Sequence, residues 1–180
     1  MTRIAIIGNA GGGKSTVARR LHQVLGLPLH SIDQLQWQPG WQPTPPHEFE
    51  AAHSRLLIEP RWIIDGWGSF EMIQERFRKT DMIILIDYPL WRHYWWAIKR
   101  QAGCVLRPRT DGPPGCPMLP MTWPLLKMIW EIDRHLLPKL RSLVDVQRDN
   151  TRIFYVHTLA DLRKLFDEIG NGVIPNEHRL

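Results

Sequence analysis

Cysteine is scarce in this chain: Cys104 and Cys116 are the only two in 180 residues. A disulfide framework is excluded, and a chain of this length buries enough surface to need none. Also absent is any run of about 18 apolar residues, which excludes a membrane span. The strongest apolar runs are short and end at acids, as in Met82-Ile83-Ile84-Leu85-Ile86-Asp87. The opening residues, Met1-Thr2-Arg3 and then Ile4-Ala5-Ile6-Ile7-Gly8, lack the apolar stretch and small-residue cleavage site of a secretory leader, so a cytoplasmic protein with reduced thiols is expected. Internal repeats are missing too. Acidic residues are missing from one segment: between Tyr88 and Thr110 stand Arg92, Lys99, Arg100, Arg107 and Arg109 with no Asp or Glu. The overall balance of 23 Lys+Arg against 18 Asp+Glu is too small to nominate nucleic acid by itself and serves a phosphorylated small molecule equally well.

What is present is ordinary for one folded domain spanning residues 1–180, with 43% hydrophobic and 23% charged residues. Arg3 to Gly8 reads as a strand, and the spacing of Val17, Leu21, Val24 and Leu25 predicts a helix over 14–25. An apolar piece at 27–32 precedes a Pro- and Trp-rich stretch, 37–46, expected to interrupt regular structure. Thr44 is placed to cap a helix running to about Ile58. Residues 61–65 and 81–87 are continuous apolar runs ending in an acid, the form of strands covered on both faces. Helices are predicted over 70–77, from Pro89 to Arg100, over about 121–146 with an adjustment near Pro138, and over 159–169. A last strand is predicted at 152–157, Gly103 to Pro120 is expected to be loop, and Gly170 to Leu180 to be frayed. Strands alternating with helices imply an α/β fold, a parallel sheet wrapped on both faces.

Gly8-Asn9-Ala10-Gly11-Gly12-Gly13-Lys14-Ser15 fits the phosphate-loop pattern G-x-x-x-x-G-K-[ST] at every fixed position, between a predicted strand and a predicted helix. Glycines let backbone N–H groups approach phosphate oxygens in conformations that side chains would block. The helix start adds its unpaired N–H groups and positive dipole end. In this reading Gly8 to Ser15 hold a nucleotide, with Thr16 as a further phosphate contact. Lys14 reaches the β- and γ-phosphates, and the Ser15 hydroxyl coordinates Mg²⁺. ATP and Mg²⁺ are the implied cofactors. A glycine turn that merely joins strand to helix is the alternative.

A GTPase would carry an N-K-x-D segment, and none exists here; Asp65 is followed by Gly66 rather than by the Glu common in hydrolytic ATPases. Instead, the phosphate loop together with Ser31-Ile32-Asp33, Trp62-Ile63-Ile64-Asp65-Gly66, Ile84-Leu85-Ile86-Asp87-Tyr88-Pro89 and the arginine-bearing segment 92–109 resembles the adenylate-kinase-like nucleoside and small-molecule kinases. Within that group the chain is similar to bacterial proteins labelled DNA topology modulation proteins. That likeness lies in Ser31 to Trp37, in Trp62 to Gly66, and in Arg107-Pro108-Arg109 leading to Pro114-Gly115-Cys116-Pro117.

The resemblance implies a P-loop NTPase three-layer sandwich with a five-stranded parallel sheet in order 2-3-1-4-5. It also implies an acceptor-binding region at about 34–60 and a lid at about 103–120. It places Asp65 near Mg²⁺ and makes Arg100, Arg107 and Arg109 lid cations. Unlike adenylate kinase, the chain has no Pro-Arg after Asp65-Gly66-Trp67, which argues against AMP as acceptor.

Taken by themselves, the residues leave alternatives. Asp65 orders Mg²⁺ or caps a turn; Asp33 accepts a proton from an acceptor hydroxyl, holds the acceptor, or caps the next helix. Arg92, Trp95, Trp96, Lys99 and Arg100 share part of one helix face. Trp37, Trp41 and Trp67 are candidates for stacking on a planar acceptor, whereas Trp62, Trp123 and Trp130 are assigned to the core. The expected activity is ATP- and Mg²⁺-dependent phosphoryl transfer to a nucleotide or other small acceptor. The rival, from another class, is an ATP-binding regulator associated with nucleic acid through the 92–109 segment.

Overall fold

The computed structural model describes residues 2–106 and 119–173. Strand β1 (Arg3–Gly8) runs through the glycine loop into α1 (Lys14–Leu25), which starts after left-handed Gly13 and stops at left-handed Gly26, whose N–H returns to the His22 carbonyl. There follow β2 (Leu29–Ser31), α2 (Ile32–Gln36), the short strands β3 (Trp37–Gln38) and β4 (Gln42–Pro43), and α3 (Pro46–Ile58). Then come β5 (Trp62–Asp65), α4 (Phe70–Arg78), β6 (Met82–Ile86) and α5 (Leu90–Leu106). Beyond a 3-10 turn at Leu119–Met121 lie α6 (Thr122–Glu131), a π turn (Ile132–Leu136), α7 (Leu137–Asp145), β7 (Arg152–Val156) and α8 (Leu159–Val173).

The main sheet is parallel throughout, in order β2-β5-β1-β6-β7, the expected 2-3-1-4-5 order counted over its own strands. Alternation along β1 sends Ile4 and Ile6 to a core shared with α1 and α8, through Val17, Leu21, Leu165 and Ile169. Ala5 and Ile7 face a second core shared with α3, α4 and α7, through Leu57, Ile73, Phe77 and Leu140. The result is the α/β/α layering expected of a sheet buried on both faces.

Several elements depart from expectation. Residues 37–43 form an antiparallel hairpin because Gly40 and Trp41 both take left-handed backbone (φ 76° and 62°), and the Trp41 ring meets the Trp37 ring edge-on at 5.7 Å. Thr44 does not cap α3. Its hydroxyl donates to the Leu35 carbonyl (2.7 Å) and its N–H to Gln36, closing the hairpin, while Pro45 takes the cap position. Helix α5 continues past Arg100 to Leu106, and α8 past Ile169 to Val173. The long helical pattern after Met121 is broken by the π turn: Pro138 lacks an N–H for the Arg134 carbonyl, and the Leu137 N–H instead reaches back to Ile132. No helix among the described residues is long and apolar enough to cross a membrane.

Candidate functional site

The segments that leave the C-terminal ends of β1, β2, β5 and β6 converge at one sheet edge, where ligands of open α/β sheets bind. Glycine at position 8 is dictated by β6: with φ 145°, an added side-chain carbon would lie 2.1 Å from the Ile86 carbonyl oxygen. At Gly11 (φ 72°) it would lie 2.8 Å from the His93 carbonyl oxygen, and at Gly12 2.7 Å from the His93 ring. Gly13 differs, since nothing among the described residues lies within 4 Å of an added carbon and only its φ of 80° asks for glycine.

Three successive loop carbonyls accept from protein donors. The Trp67 indole N–H donates to Gly8 (2.7 Å), the Lys14 ammonium to Asn9 (2.8 Å), and His93 Nδ1 to Ala10 (2.9 Å). Fully buried Asn9 adds a fourth tether: its amide donates to the Ile129 carbonyl of α6 (2.9 Å), and its side-chain oxygen accepts from the Ala10 N–H (2.7 Å). With those acceptors turned toward the protein, the loop is arranged to meet an anion through donors.

Asp65 ends β5 beside β1, in register with Ile6, and is only 2% exposed. Burial pushes its carboxyl up, opposed by hydrogen bonds from the Ser15 and Ser31 hydroxyls and by the Lys14 ammonium, with Asp33 adding to the rise. Its Oδ1 has no hydrogen-bond partner among the described residues. Burial likewise lowers the Lys14 pKa; Asp33 and Asp65 oppose this, and Arg100 of α5 reinforces it. The fold therefore brings Lys14, Ser15, Asp33, Asp65 and Arg100 together, with Thr16 exposed one residue on. A buried carboxylate oxygen without a donor, next to a serine hydroxyl and an ammonium, fits a hard cation and a polyphosphate.

Asp33 is not the cap of α2: Ser31 holds that position, and Asp33 sits exposed in the first turn. It faces Gly66 (φ 105°), where an added carbon would lie 3.5 Å from Asp33 Oδ1 and 3.0 Å from Ile32 Cβ. Trp67 packs edge-on against Phe70, its N–H engaged with the glycine loop, so it braces that loop whatever else it contacts. Trp62 is core as expected, but Trp123 and Trp130 are not; both are exposed on α6. Arg92 stands over the rings of Tyr88, Trp91 and Trp96. Arg107, Arg109 and Cys116 lie outside the described residues.

Sequence reading passed over Arg76. Fully buried in α4, it donates to the carbonyls of Gly66 (2.8 Å) and Trp67 (2.7 Å), and its Nε donates to His53 Nε2 (3.3 Å). Burial brings its pKa down to about 10, opposed by Asp65; burial and the neighbouring Arg76 and Lys79 hold His53 down to about 4. The signal was available: Arg76 occupies the apolar face of α4 with Met72, Ile73 and Phe77, a place where a cation needs a reason. At the far side, Asp87 is held by Arg141 of α7 through two bonds (2.9 and 2.8 Å), and His157 Nδ1 donates to the Asp87 carbonyl (3.0 Å), so Asp87 ties α7 and β7 to the end of β6.

Two solved structures are similar over nearly the whole chain. Shikimate kinase from Acinetobacter baumannii, in complex with shikimate, superposes with a TM-score of 0.54 at 14% identity, covering 97% of this chain and 96% of that one. An uncharacterized protein from Eubacterium ventriosum gives 0.53 at 13% identity, with 95% and 99% covered. At such identities the likeness is one of fold. No protein-family model and no curated protein matches the chain.

Proposed function

We propose that the chain is an ATP- and Mg²⁺-dependent phosphotransferase that passes a γ-phosphoryl group to a nucleotide or other small acceptor. The observation that carries this reading is the Asp65 carboxylate, buried with one oxygen lacking a donor, beside the Ser15 hydroxyl and Lys14 ammonium at the mouth of a glycine loop. Mg²⁺, held by Ser15 and Asp65, would neutralise charge on the phosphates. Lys14 moves from the Asn9 carbonyl to the phosphate tail, a stronger acceptor. Asp33, exposed across from Gly66, positions the acceptor hydroxyl and takes its proton. Arg100, near Lys14, adds positive charge where a loose transition state spreads negative charge over peripheral oxygens. Arg107 and Arg109 are assigned the same task from their sequence pattern. The acceptor enters over the segment that carries α2 and the 37–43 hairpin. The fold shared with shikimate kinase adds hydroxylated ring carboxylates to the nucleosides and nucleoside monophosphates that should be tried.

Calorimetry with MgATP and an ADP-release screen over those acceptors test the reading. Binding heat is expected for the unmodified chain and is lost in Lys14→Ala, which still folds and unfolds cooperatively. One acceptor class should raise ADP formation above the acceptor-free rate, and Lys14→Ala should lower that turnover by about 10²- to 10³-fold. Absence of heat with every nucleoside triphosphate would reject nucleotide binding. Binding without stimulation by any acceptor, combined with oligonucleotide affinity falling steeply with salt, would favour the regulatory rival.

A further inference from the structure

Charge divides the chain into stretches of opposite sign. Residues 88–110 carry five Lys and Arg and no acid, whereas residues 21–75 carry two, Arg55 and Arg61, against seven Asp and Glu. The second stretch contains α2, the 37–43 hairpin, α3 and residues 66–68, the side on which the acceptor is proposed to enter. Neither of its arginines faces that side. His53 is the α3 residue that backs residues 66–68 through Arg76, and Arg55, exposed two residues on, lies about 200° away around the helix. Arg61 immediately precedes β5, four residues or about 13 Å from Asp65, at the opposite end of the sheet. Arg76 itself is buried, and each of its three nitrogens donates within the chain.

What does face the acceptor side is a carboxylate and two rings. Asp33 is exposed, its Oδ1 3.5 Å from the carbon that a side chain at Gly66 would add. Next to Gly66, half-buried Trp67 and Phe70 meet edge-on with centroids 6.2 Å apart, and the Trp67 N–H on the Gly8 carbonyl fixes its ring. Glu71, exposed in the first turn of α4, adds a second acid nearby.

Resting on the phosphotransferase reading, we infer that the acceptor is an uncharged ring-bearing alcohol of the nucleoside class, rather than a nucleoside monophosphate or a ring carboxylate. An anionic acceptor needs cations of its own, because Lys14 and Arg100, and from their sequence pattern Arg107 and Arg109, are assigned to the phosphates of ATP. Here it meets the Asp33 carboxylate instead, and like charges at close range exclude it. Asp33 also has a task only with an alcohol. A phosphate oxygen attacks as the anion it already is, whereas a hydroxyl must lose its proton. The hydroxyl oxygen bonds to the γ-phosphorus, the bond from that phosphorus to the β–γ bridging oxygen breaks, its electron pair leaves with ADP, and the hydroxyl proton passes to Asp33. The flat face of an uncharged ring suits the Trp67 and Phe70 pair.

ADP release at saturating MgATP, measured over matched acceptors, tests this: each nucleoside with its 5′-monophosphate, and hydroxylated ring carboxylates with their methyl esters. At least one neutral member should stimulate ADP formation, with kcat/KM about tenfold or more above that of its charged partner. Asp33→Asn should lower turnover of the neutral member by about 10²-fold or more, with its KM changed less than about twofold, and should lower the KM of the charged member. A residue that only supports the fold would change both members alike. Circular dichroism melts should leave this variant folded, since the side chain replaced is exposed. A charged member that equals or outperforms its neutral partner would overturn the inference and leave the phosphotransferase reading standing. MgATP binding heat without stimulation by any neutral member would also overturn it. Absence of that heat would reject the reading beneath it, and the inference with it.

Discussion

Two loops meet at the same edge of the sheet and are held by opposite means. Residues 8–13 are shaped by exclusion: β6 and α5 come so close that only glycine fits at positions 8, 11 and 12. Residues 66–68 are shaped by attraction. Their carbonyls are drawn inward by a buried guanidinium ten residues downstream, itself backed by His53 from α3. The first device is local and leaves a pattern in consecutive residues; the second joins residues from three elements and leaves almost none. The Trp67 N–H on the Gly8 carbonyl couples the two, so loosening the second loop reaches the first.

The largest effect is expected from breaking the exclusion. Gly8→Ala places a carbon where the Ile86 carbonyl oxygen already is, 2.1 Å away, and the backbone of a central strand cannot yield. A loss of more than about 4 kcal/mol is expected in denaturant unfolding, enough to leave the variant unfolded or insoluble. A variant as stable as the parent would mean that β1 and β6 are not in this register.

That contrast also explains how much of the site was legible. Gly8, Gly11, Gly12 and Gly13 could be read because positive φ or close approach restricts the residue type at each, and Asp65 because an acid ending a fully apolar run marks a strand end at the sheet edge. Asn9 could not, since it fills a free position of the motif and its bond to Ile129 spans 120 residues. The hairpin at 37–43 was hidden because prolines and tryptophans mask a turn made by Gly40 and a left-handed Trp41. The exposure of Trp123 and Trp130 was hidden for a different reason. Helix α6 is apolar on more than one face, and spacing does not distinguish the row that packs, Leu125 and Ile129, from the row that does not.

Breaking the attraction should be the next largest effect. Arg76→Leu leaves the Gly66 and Trp67 carbonyls and His53 Nε2 without their donor, three buried or part-buried acceptors at roughly 1 kcal/mol or more each, so about 3 kcal/mol or more in all. Arg76→Lys keeps the charge but cannot span three acceptors, and about half that loss is expected. If residues 66–68 position the acceptor, Arg76→Lys should raise the acceptor KM more than it lowers kcat. Equal changes would confine Arg76 to folding.

The same loop gives the comparison a pH dependence that the glycine loop lacks. Unfolded, His53 takes up its proton near 6.5; folded, burial and the neighbouring Arg76 and Lys79 keep it neutral to about 4. Between those values the unfolded chain binds more protons, so the contribution is intact above about pH 6.5 and is lost as pH falls toward 4. The total is on the order of 3 kcal/mol. Urea unfolding from pH 7 to pH 4 should show this slope in the parent and lose it in His53→Gln. A slope of the same size in His53→Gln would assign the acid sensitivity elsewhere.

The smallest effect isolates conformation from contact. Gly13 caps α1 at φ 80° with nothing among the described residues within 4 Å of an added carbon, so Gly13→Ala meets none of them and bears only the cost of holding an alanine in left-handed backbone, about 1 kcal/mol. Its fold should survive where that of Gly8→Ala does not. Because the Thr16 and Val17 N–H groups both return to the Gly13 carbonyl, the start of α1 should also survive. MgATP affinity measured in Gly13→Ala then reads the loop's own requirement. An unchanged dissociation constant would mean that the phosphates do not pass over position 13. A loss much greater than the drop in stability would place them against that backbone, where an added methyl group stands in the path of an incoming anion.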